Sequence, residues 1–376
     1  MIYYHSFWTK PLLRPDAQPD AQELFVWDFE ALTWLLSVLE IRRHSEIRLI
    51  TDSRGAAFAR KAGFDWAYNG GVSTDLDRVP SNLDAQIFWA AGKLFAHQVM
   101  RPPCVCVDLD AVLWRPLQPA SPVTVLHRED RNWPWYKADE TQFKRFGFEQ
   151  PCWDWTVDPV NAAMVAFSDS RLKELYVETA IGFMERYSRE AGGCVSGRAE
   201  SDALSSDPMV FAEQRLLPMC AAQLNESIGL LTEAYLPGVC IQRNPDCMHL
   251  WGSKVAYRVC RDARVAFVNH LIAIINSRFP EARSTIEGWK LDQQEPISPV
   301  VPEANKGSAI WKEGGLTFSL LRHVRGAVWI RDPNADVRRQ AAEGSMVWSA
   351  EVIEPEPGAS FELLVAGTQP LEFRQM

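Results

Sequence analysis

No apolar run in this chain approaches the roughly 18 residues that a bilayer-spanning helix requires. A transmembrane segment is therefore not expected, and any membrane contact is peripheral. The opening MIYYHSFWTKPLLRPD is too polar for the apolar core of a signal peptide. The eight cysteines lack the spacing of a disulfide framework in a chain of 376 residues. Reduced thiols and a cytoplasmic setting are the expectation. Paired C-x₂₋₄-C spacing is also missing, so Cys240, Cys247, His249 and Cys260 do not read as a zinc site. Nor is there a basic excess. The net charge is −9, which argues against nucleic acid as the main partner. No internal repeat is visible.

What remains is an ordinary globular composition, 47% apolar and 23% charged, in a chain long enough for one large α/β domain and an accessory piece. Tryptophan is abundant, at 15 residues. Most of these rings belong in a core, and an exposed few suit a ligand with apolar faces, such as a sugar ring or a base.

The most informative segment is Val105-Cys106-Val107-Asp108-Leu109-Asp110, an apolar strand that ends in two carboxylates. Residues two apart on an extended strand point to the same side. Two carboxylates so placed repel unless a cation lies between them or one stays protonated. Hard oxygen ligands suit Mg²⁺ or Mn²⁺, ions commonly shared with substrate phosphates. The expectation is a metal–phosphate site.

Strand and helix signals alternate through the first half. Strands are expected at 1–7, 46–51 and 104–107, with helices at 24–42, 55–62 and 84–99. That order predicts a mainly parallel sheet flanked by helices, whose ligands sit beyond the carboxyl ends of the strands. Ser6, Asp52 and the Asp108/Asp110 pair fall at such ends and together predict a nucleotide cleft. Asp52 also suits a turn or the cap of the following helix. Lys93 lies in an apolar helix, where it reads either as a phosphate partner or as a side chain that snorkels to solvent. An aromatic stretch carries Trp133, Trp135, Trp153 and Trp155, expected either in a subdomain core or on the acceptor side of the cleft. Asn161 precedes an apolar strand at 162–167, and a helix follows over 171–189. Residues 192–207 read as a loop, and Glu213-Gln214 sits in a helix over 209–222. Prolines mark 293–305 as a linker, which divides the chain into a catalytic domain at 1–292 and a small β-rich extension at 306–376.

Four of these segments, in this order, resemble sugar-nucleotide-dependent glycosyltransferases of the GT-A type. The pattern is most similar to the retaining family-8 enzymes and their sugar-binding-region relatives. Asp108-Leu109-Asp110 resembles the metal-binding DxD. Asn161-Ala162-Ala163-Met164-Val165 resembles the segment that contacts the donor sugar, with Ala163 where Gly is usual. Glu213-Gln214 resembles the Asp-Gln pair beside the transferring carbon. His249-Leu250-Trp251-Gly252-Ser253-Lys254 resembles the late His-x-x-Gly-x-x-Lys segment, with the lysine one residue early. The resemblance covers residues 1–270 and implies a GT-A-like Rossmann-type sheet and a nucleoside-diphosphate sugar donor, with uridine as the favoured base. It implies a metal held by Asp108, Asp110 and His249, a diphosphate held by Lys254, and transfer with retention near Gln214 and Glu213. A histidine nitrogen ligand favours Mn²⁺ over Mg²⁺. The acceptor, whether glycan, peptide or small molecule, is not specified.

Two other functions fit part of the pattern. Asp108-Leu109-Asp110-Ala111-Val112 also matches the D-x-D-x-[TV] nucleophile strand of haloacid-dehalogenase phosphatases, with Ser168 as the phosphate-binding serine. That strand normally opens its domain, and the family's late acidic motif is missing between residues 220 and 290. A noncatalytic nucleotide-sugar or glycan binder would keep the Asp pair and the tryptophans without turnover.

Overall fold

The computed structural model describes residues 1–13, 24–119, 121–131, 136, 143–191, 208–232, 242–243, 246–250, 254, 257–258, 261–289, 311–313, 316–332, 337–342, 345–348, 352–364 and 371–374. Trp133, Trp135, the loop at 192–207 and the linker at 293–305 lie outside the described residues. Two compact units are present: Met1–Val26 with Trp34–Tyr235, and Trp27–Thr33 with Leu236–Met376.

The first unit is built on strands β1 (Ile2–Phe7), β2 (Glu46–Thr51), β3 (Val72–Ser73), β4 (Cys104–Val107), β5 (Ala111–Leu113), β6 (Val123–Val125), β7 (Met164–Phe167) and β8 (Ile228–Leu230). Seven of them form one sheet in the order β3-β2-β1-β4-β7-β6-β8. β1 pairs in parallel with β2 and β4, β2 with β3, and β6 with β8, while β7 runs antiparallel to both β4 and β6. The sheet is mostly parallel, as the alternation predicts. Because Phe7 lies opposite Thr51, and β4 runs the same way beside β1, all three strands release their carboxyl ends at one edge. Val107 pairs with Met164, so the antiparallel β7 begins at that same edge. This places Asn161–Ala163 beside Asp108.

Helices cover the sheet: α1 (Asp28–Arg42, whose residues to Thr33 belong to the second unit), α2 (Ser53–Lys61), α3 (Ala91–Val99), α4 (Ser170–Ala191) and α5 (Pro208–Gln223). β4 is buried throughout its length, which explains its unbroken apolar sequence. Phe183 of α4 contacts Phe88, Phe143, Phe146, Phe148 and Phe211, joining the aromatic stretch to α5. The helix expected over 84–99 begins only at Ala91. Asp84 caps a separate turn before it: its carboxylate accepts from the Gln86 and Ile87 amides, and its carbonyl accepts from the Phe88 amide.

In the second unit, a strand at Cys247–His249 pairs with Gln242–Arg243, and Arg261–Arg278 forms a helix. Its later strands pair in antiparallel fashion: Leu316–Arg325 lies between Ser360–Leu364 and Met346–Trp348, and Val328–Asp332 lies between Val337–Gln340 and Val352–Pro355. Leu321, Val328, Ile330, Val347 and Phe361 are buried in a small core there. Among the described residues, no helix is long and apolar enough to cross a membrane.

Candidate functional site

The Asp pair sits in a tight turn and not, as expected, in extended strand. β4 ends at Val107, and the Ala111 amide donates back to the Asp108 carbonyl over 3.0 Å. Strand pleating therefore does not orient the two carboxylates; the turn does. Its first residue is tied to β7, since the Asp108 amide donates to Ala163 O at 2.7 Å. Asp110 is buried and Asp108 is half-buried.

Lys93 is the centre of the arrangement. Its Nζ lies 2.5 Å from Asp108 Oδ1, 2.5 Å from Glu213 Oε1 and 3.1 Å from Ala162 O. An ammonium has three donors, and these three partners account for all of them. The lysine does not snorkel to solvent, since it is only 9% exposed. Burial by itself would lower the Lys93 pKa, but Asp108 and Glu213 outweigh it and hold it well above its ordinary value. Lys93 is therefore a fixed cation. The chain reaches this position through Gly92, where an added Cβ would come within 2.4 Å of Trp8 Cβ. Only glycine lets α3 pack this closely at the residue before the lysine.

Glu213 and Gln214 sit in a widened, π-helical turn of α5 spanning Phe211–Arg215, in which the Leu216 amide donates to Phe211 O. Such insertions are frequent at functional sites. Pro218 contributes to the irregularity, because it has no N–H to offer the carbonyl four residues back. That carbonyl, Gln214 O, accepts from the Val160 amide at 3.0 Å. Glu213 O accepts from Tyr176 Oη at 2.8 Å. Glu213 is 2% exposed. Burial pushes its carboxyl pKa up, while the Lys93 ammonium pulls it back. Tyr136 Oη donates to Gln214 Oε1.

Asn161 is buried and doubly used. Its Oδ1 accepts from the Ala163 amide at 3.1 Å, and its Nδ2 donates to Glu129 Oε1 at 2.9 Å. The asparagine thus shapes the turn whose carbonyls hold Lys93 and the Asp108 amide. Glu129 is itself buried, 3.8 Å from His127 Nε2. Desolvation pushes its carboxyl pKa up to about 8, against the opposing Asn161 hydrogen bond.

At the neighbouring strand ends, Ser6 is half-buried near the end of β1. Asp52 caps α2: Oδ1 accepts from the Gly55 amide at 2.7 Å, and Oδ2 accepts from both Thr9 N and Thr9 Oγ1 at 2.8 Å. A cap of this kind contributes about 1 kcal/mol. Trp153 and Trp155 are half-buried against the core, Trp153 against Phe148 and Trp155 stacked on Phe211 at 5.7 Å. Both rings thus lend a face to the core. In the second unit, His249 is buried at the end of its strand, and Lys254 is half-buried in a helical turn.

Sequence reasoning placed the Asp pair, Asn161 and Glu213-Gln214 at one site, and the first unit brings Asp108, Glu213 and the Ala162 carbonyl beside Asn161 together at Lys93. It missed Glu129, Tyr176 and the hydroxyl of Tyr136, which lie 32 to 78 residues from their partners. Pro218 was the one local signal available, marking a freed carbonyl in α5.

A family of unknown function, DUF6734, matches residues 1–145. No curated protein matches the sequence. Among solved structures, the PaToxG glycosyltransferase is similar with a TM-score of 0.31 and 9% identity, over 59% of this chain and 69% of that one. Mouse xyloside xylosyltransferase 1 in its apo form is similar with a TM-score of 0.30 and 11% identity, over 61% and 84%. At such identities, function has to be read from the side chains.

Proposed function

We propose that this protein is a metal-dependent glycosyltransferase that uses a nucleoside-diphosphate sugar, with uridine as the base and a hexose as the transferred sugar. The observation that carries the reading is the buried cluster of Lys93, Asp108 and Glu213, set at the edge where parallel strands end. Open α/β sheets bind ligands at such edges. The donor set fits a divalent cation: Asp108 and Asp110 offer hard carboxylate oxygens from one turn, and the resemblance adds His249 as an imidazole ligand. A bound Mn²⁺ or Mg²⁺ would supply charge stabilisation for a diphosphate leaving group.

The chain's own residues set the rest. Lys93 fixes Asp108 in the geometry a ligand needs and holds Glu213 as its counter-ion. With its carboxylate committed to Lys93, Glu213 is better suited to holding charge than to attacking a sugar carbon. Gln214 presents its amide to the reacting sugar. Asn161 shapes the turn beside the donor, Ser6 and Asp52 border the nucleotide, and the resemblance adds Lys254 as a diphosphate ligand. Trp153 and Trp155 make the acceptor side.

A donor-hydrolysis assay separates this reading from its rivals. A transferase slowly hydrolyses its sugar nucleotide, a phosphatase of the haloacid-dehalogenase type cleaves monoesters, and a noncatalytic binder does neither. Retention is the expected stereochemistry, so proton NMR of fresh product from an α-linked donor should give the α-anomer. A β-product would overturn retention and leave the metal–diphosphate site standing.

A further inference from the structure

Residues 160–163 reach three parts of the site within four positions. The Val160 amide donates to Gln214 O at 3.0 Å, Ala162 O accepts from Lys93 Nζ at 3.1 Å, and Ala163 O accepts from the Asp108 amide at 2.7 Å. Asn161 supplies the one polar side chain of this segment, and its orientation is unambiguous. A backbone N–H can only donate, so the atom that faces the Ala163 amide at 3.1 Å is the carboxamide oxygen. The nitrogen therefore points the other way, to Glu129 Oε1 at 2.9 Å. The Ala163 N–H held by Asn161 and the Ala162 carbonyl held by Lys93 belong to one planar peptide group. Fixing the N–H end also fixes where the carbonyl end points.

Backbone pairing delivers Glu129 to Asn161. Arg128 and Val160 form an antiparallel bridge, in which the Glu129 amide donates to Pro159 O and the Asn161 amide donates to His127 O, both at 2.9 Å. Glu129 and Asn161 are each only 3% exposed, so bulk water does not replace either partner. We infer that Glu129 is a positioning residue: it anchors Asn161, and through it the Ala162–Ala163 peptide that presents its carbonyl to Lys93 beside Asp108. The anchoring rests on the geometry alone. Its consequence for nucleotide binding rests on the glycosyltransferase reading, in which Asp108 is a metal ligand. Desolvation pushes the Glu129 carboxyl up to about 8, which keeps it protonated at neutral pH with Oε1 as the acceptor for Asn161. Glutamine reproduces that form, with a carbonyl oxygen beside an N–H group in place of the O–H.

Glu129→Met removes the acceptor and keeps an unbranched side chain of similar length, and Glu129→Gln restores the acceptor. The first readout is amide hydrogen exchange in the full chain. Exchange at Ala163 and Asp108 should quicken about tenfold in Glu129→Met, the value of one lost hydrogen bond, and return to the wild-type rate in Glu129→Gln. Amides of β1 and β2 should keep their rates in both variants, because a general loss of stability would quicken those as well. The second readout is the calorimetric Kd for UDP in the presence of Mn²⁺, which should rise about tenfold in Glu129→Met and recover in Glu129→Gln. Unchanged exchange at Ala163 and Asp108 in Glu129→Met, or quickening spread equally over β1 and β2, overturns the anchoring. An unchanged Kd overturns its consequence for binding. Should Glu129→Met not fold, Asn161→Ala cuts the same link from the other side, and unchanged exchange at Asp108 in that variant also overturns the anchoring. If the wild type binds no UDP with Mn²⁺, the glycosyltransferase reading fails, while the exchange rates still decide the role of Glu129.

Discussion

An ammonium group withdrawn from water keeps its charge only where acceptors replace the solvent. Lys93 has two carboxylates and a carbonyl for this purpose. Removing it would leave Asp108 and the deeply buried Glu213 facing each other without a cation. Breaking a buried pair from one side typically costs about 3–5 kcal/mol. Lys93→Met should therefore lose stability of that order in urea denaturation, and adding Glu213→Gln should recover part of the loss. A single variant as stable as the wild type would mean that the cluster carries no such charge. Glu129 makes a pH prediction. Its carboxyl titrates at about 8 in the fold, against an ordinary 4.5, so between those values the folded chain binds more protons than the unfolded one. Stability then falls as pH rises through that window and is greatest below it. Glu129→Gln should flatten the Tm–pH curve between about pH 4.5 and 8. A curve with the same slope as the wild type would remove Glu129 as its cause.

At the scale of elements, α5 shows how an irregular helix serves a site. Its π-helical turn and Pro218 free carbonyls that a regular helix would use internally, and Val160 and Tyr176 take them. Pro218→Ala restores an N–H four residues beyond Gln214, so the helix competes for that carbonyl. Hydrogen exchange at the Val160 amide should then quicken by about tenfold, the value of one lost hydrogen bond. Unchanged protection there would separate the proline from the Val160 contact. The elements also mark what sequence could convey. Strands at 2–7, 46–51, 104–107 and 164–167 stand within a residue or two of where apolar runs meet polar ends, because each is a short buried run. The helix expected at 84–99 begins only at Ala91, after a separate turn that Asp84 caps, and hydrophobic periodicity does not mark that break. The Asp pair and Glu213-Gln214 were legible as motifs. The side chains that hold them in place, Glu129, Tyr136 and Tyr176, were not, since long-range hydrogen bonds have no sequence period.

Over the whole first unit, parallel pairing of β1 with β2 and β4, and antiparallel entry of β7, gather the polar ends of four strands at one edge of the sheet. Lys93 from α3 and Glu213 from α5 meet Asp108 at that edge. Among the described residues, Lys93 meets two carboxylates there, Asp108 and Glu213, and Asp110 follows in the same turn as Asp108, in a chain of net charge −9. A diphosphate approaching such an edge needs a metal cation first. Nucleotide binding should therefore depend on Mn²⁺ and on the Asp110 carboxylate. Calorimetric titration of UDP into the full chain tests this most directly, with and without Mn²⁺, in the wild type and in Asp110→Asn. The account predicts Mn²⁺-dependent binding in the wild type and at least about a tenfold loss of affinity in Asp110→Asn, about 1.4 kcal/mol, with the Tm in the absence of metal retained. Equal UDP affinity with and without Mn²⁺, or an Asp110→Asn variant that binds as tightly as the wild type, would contradict it.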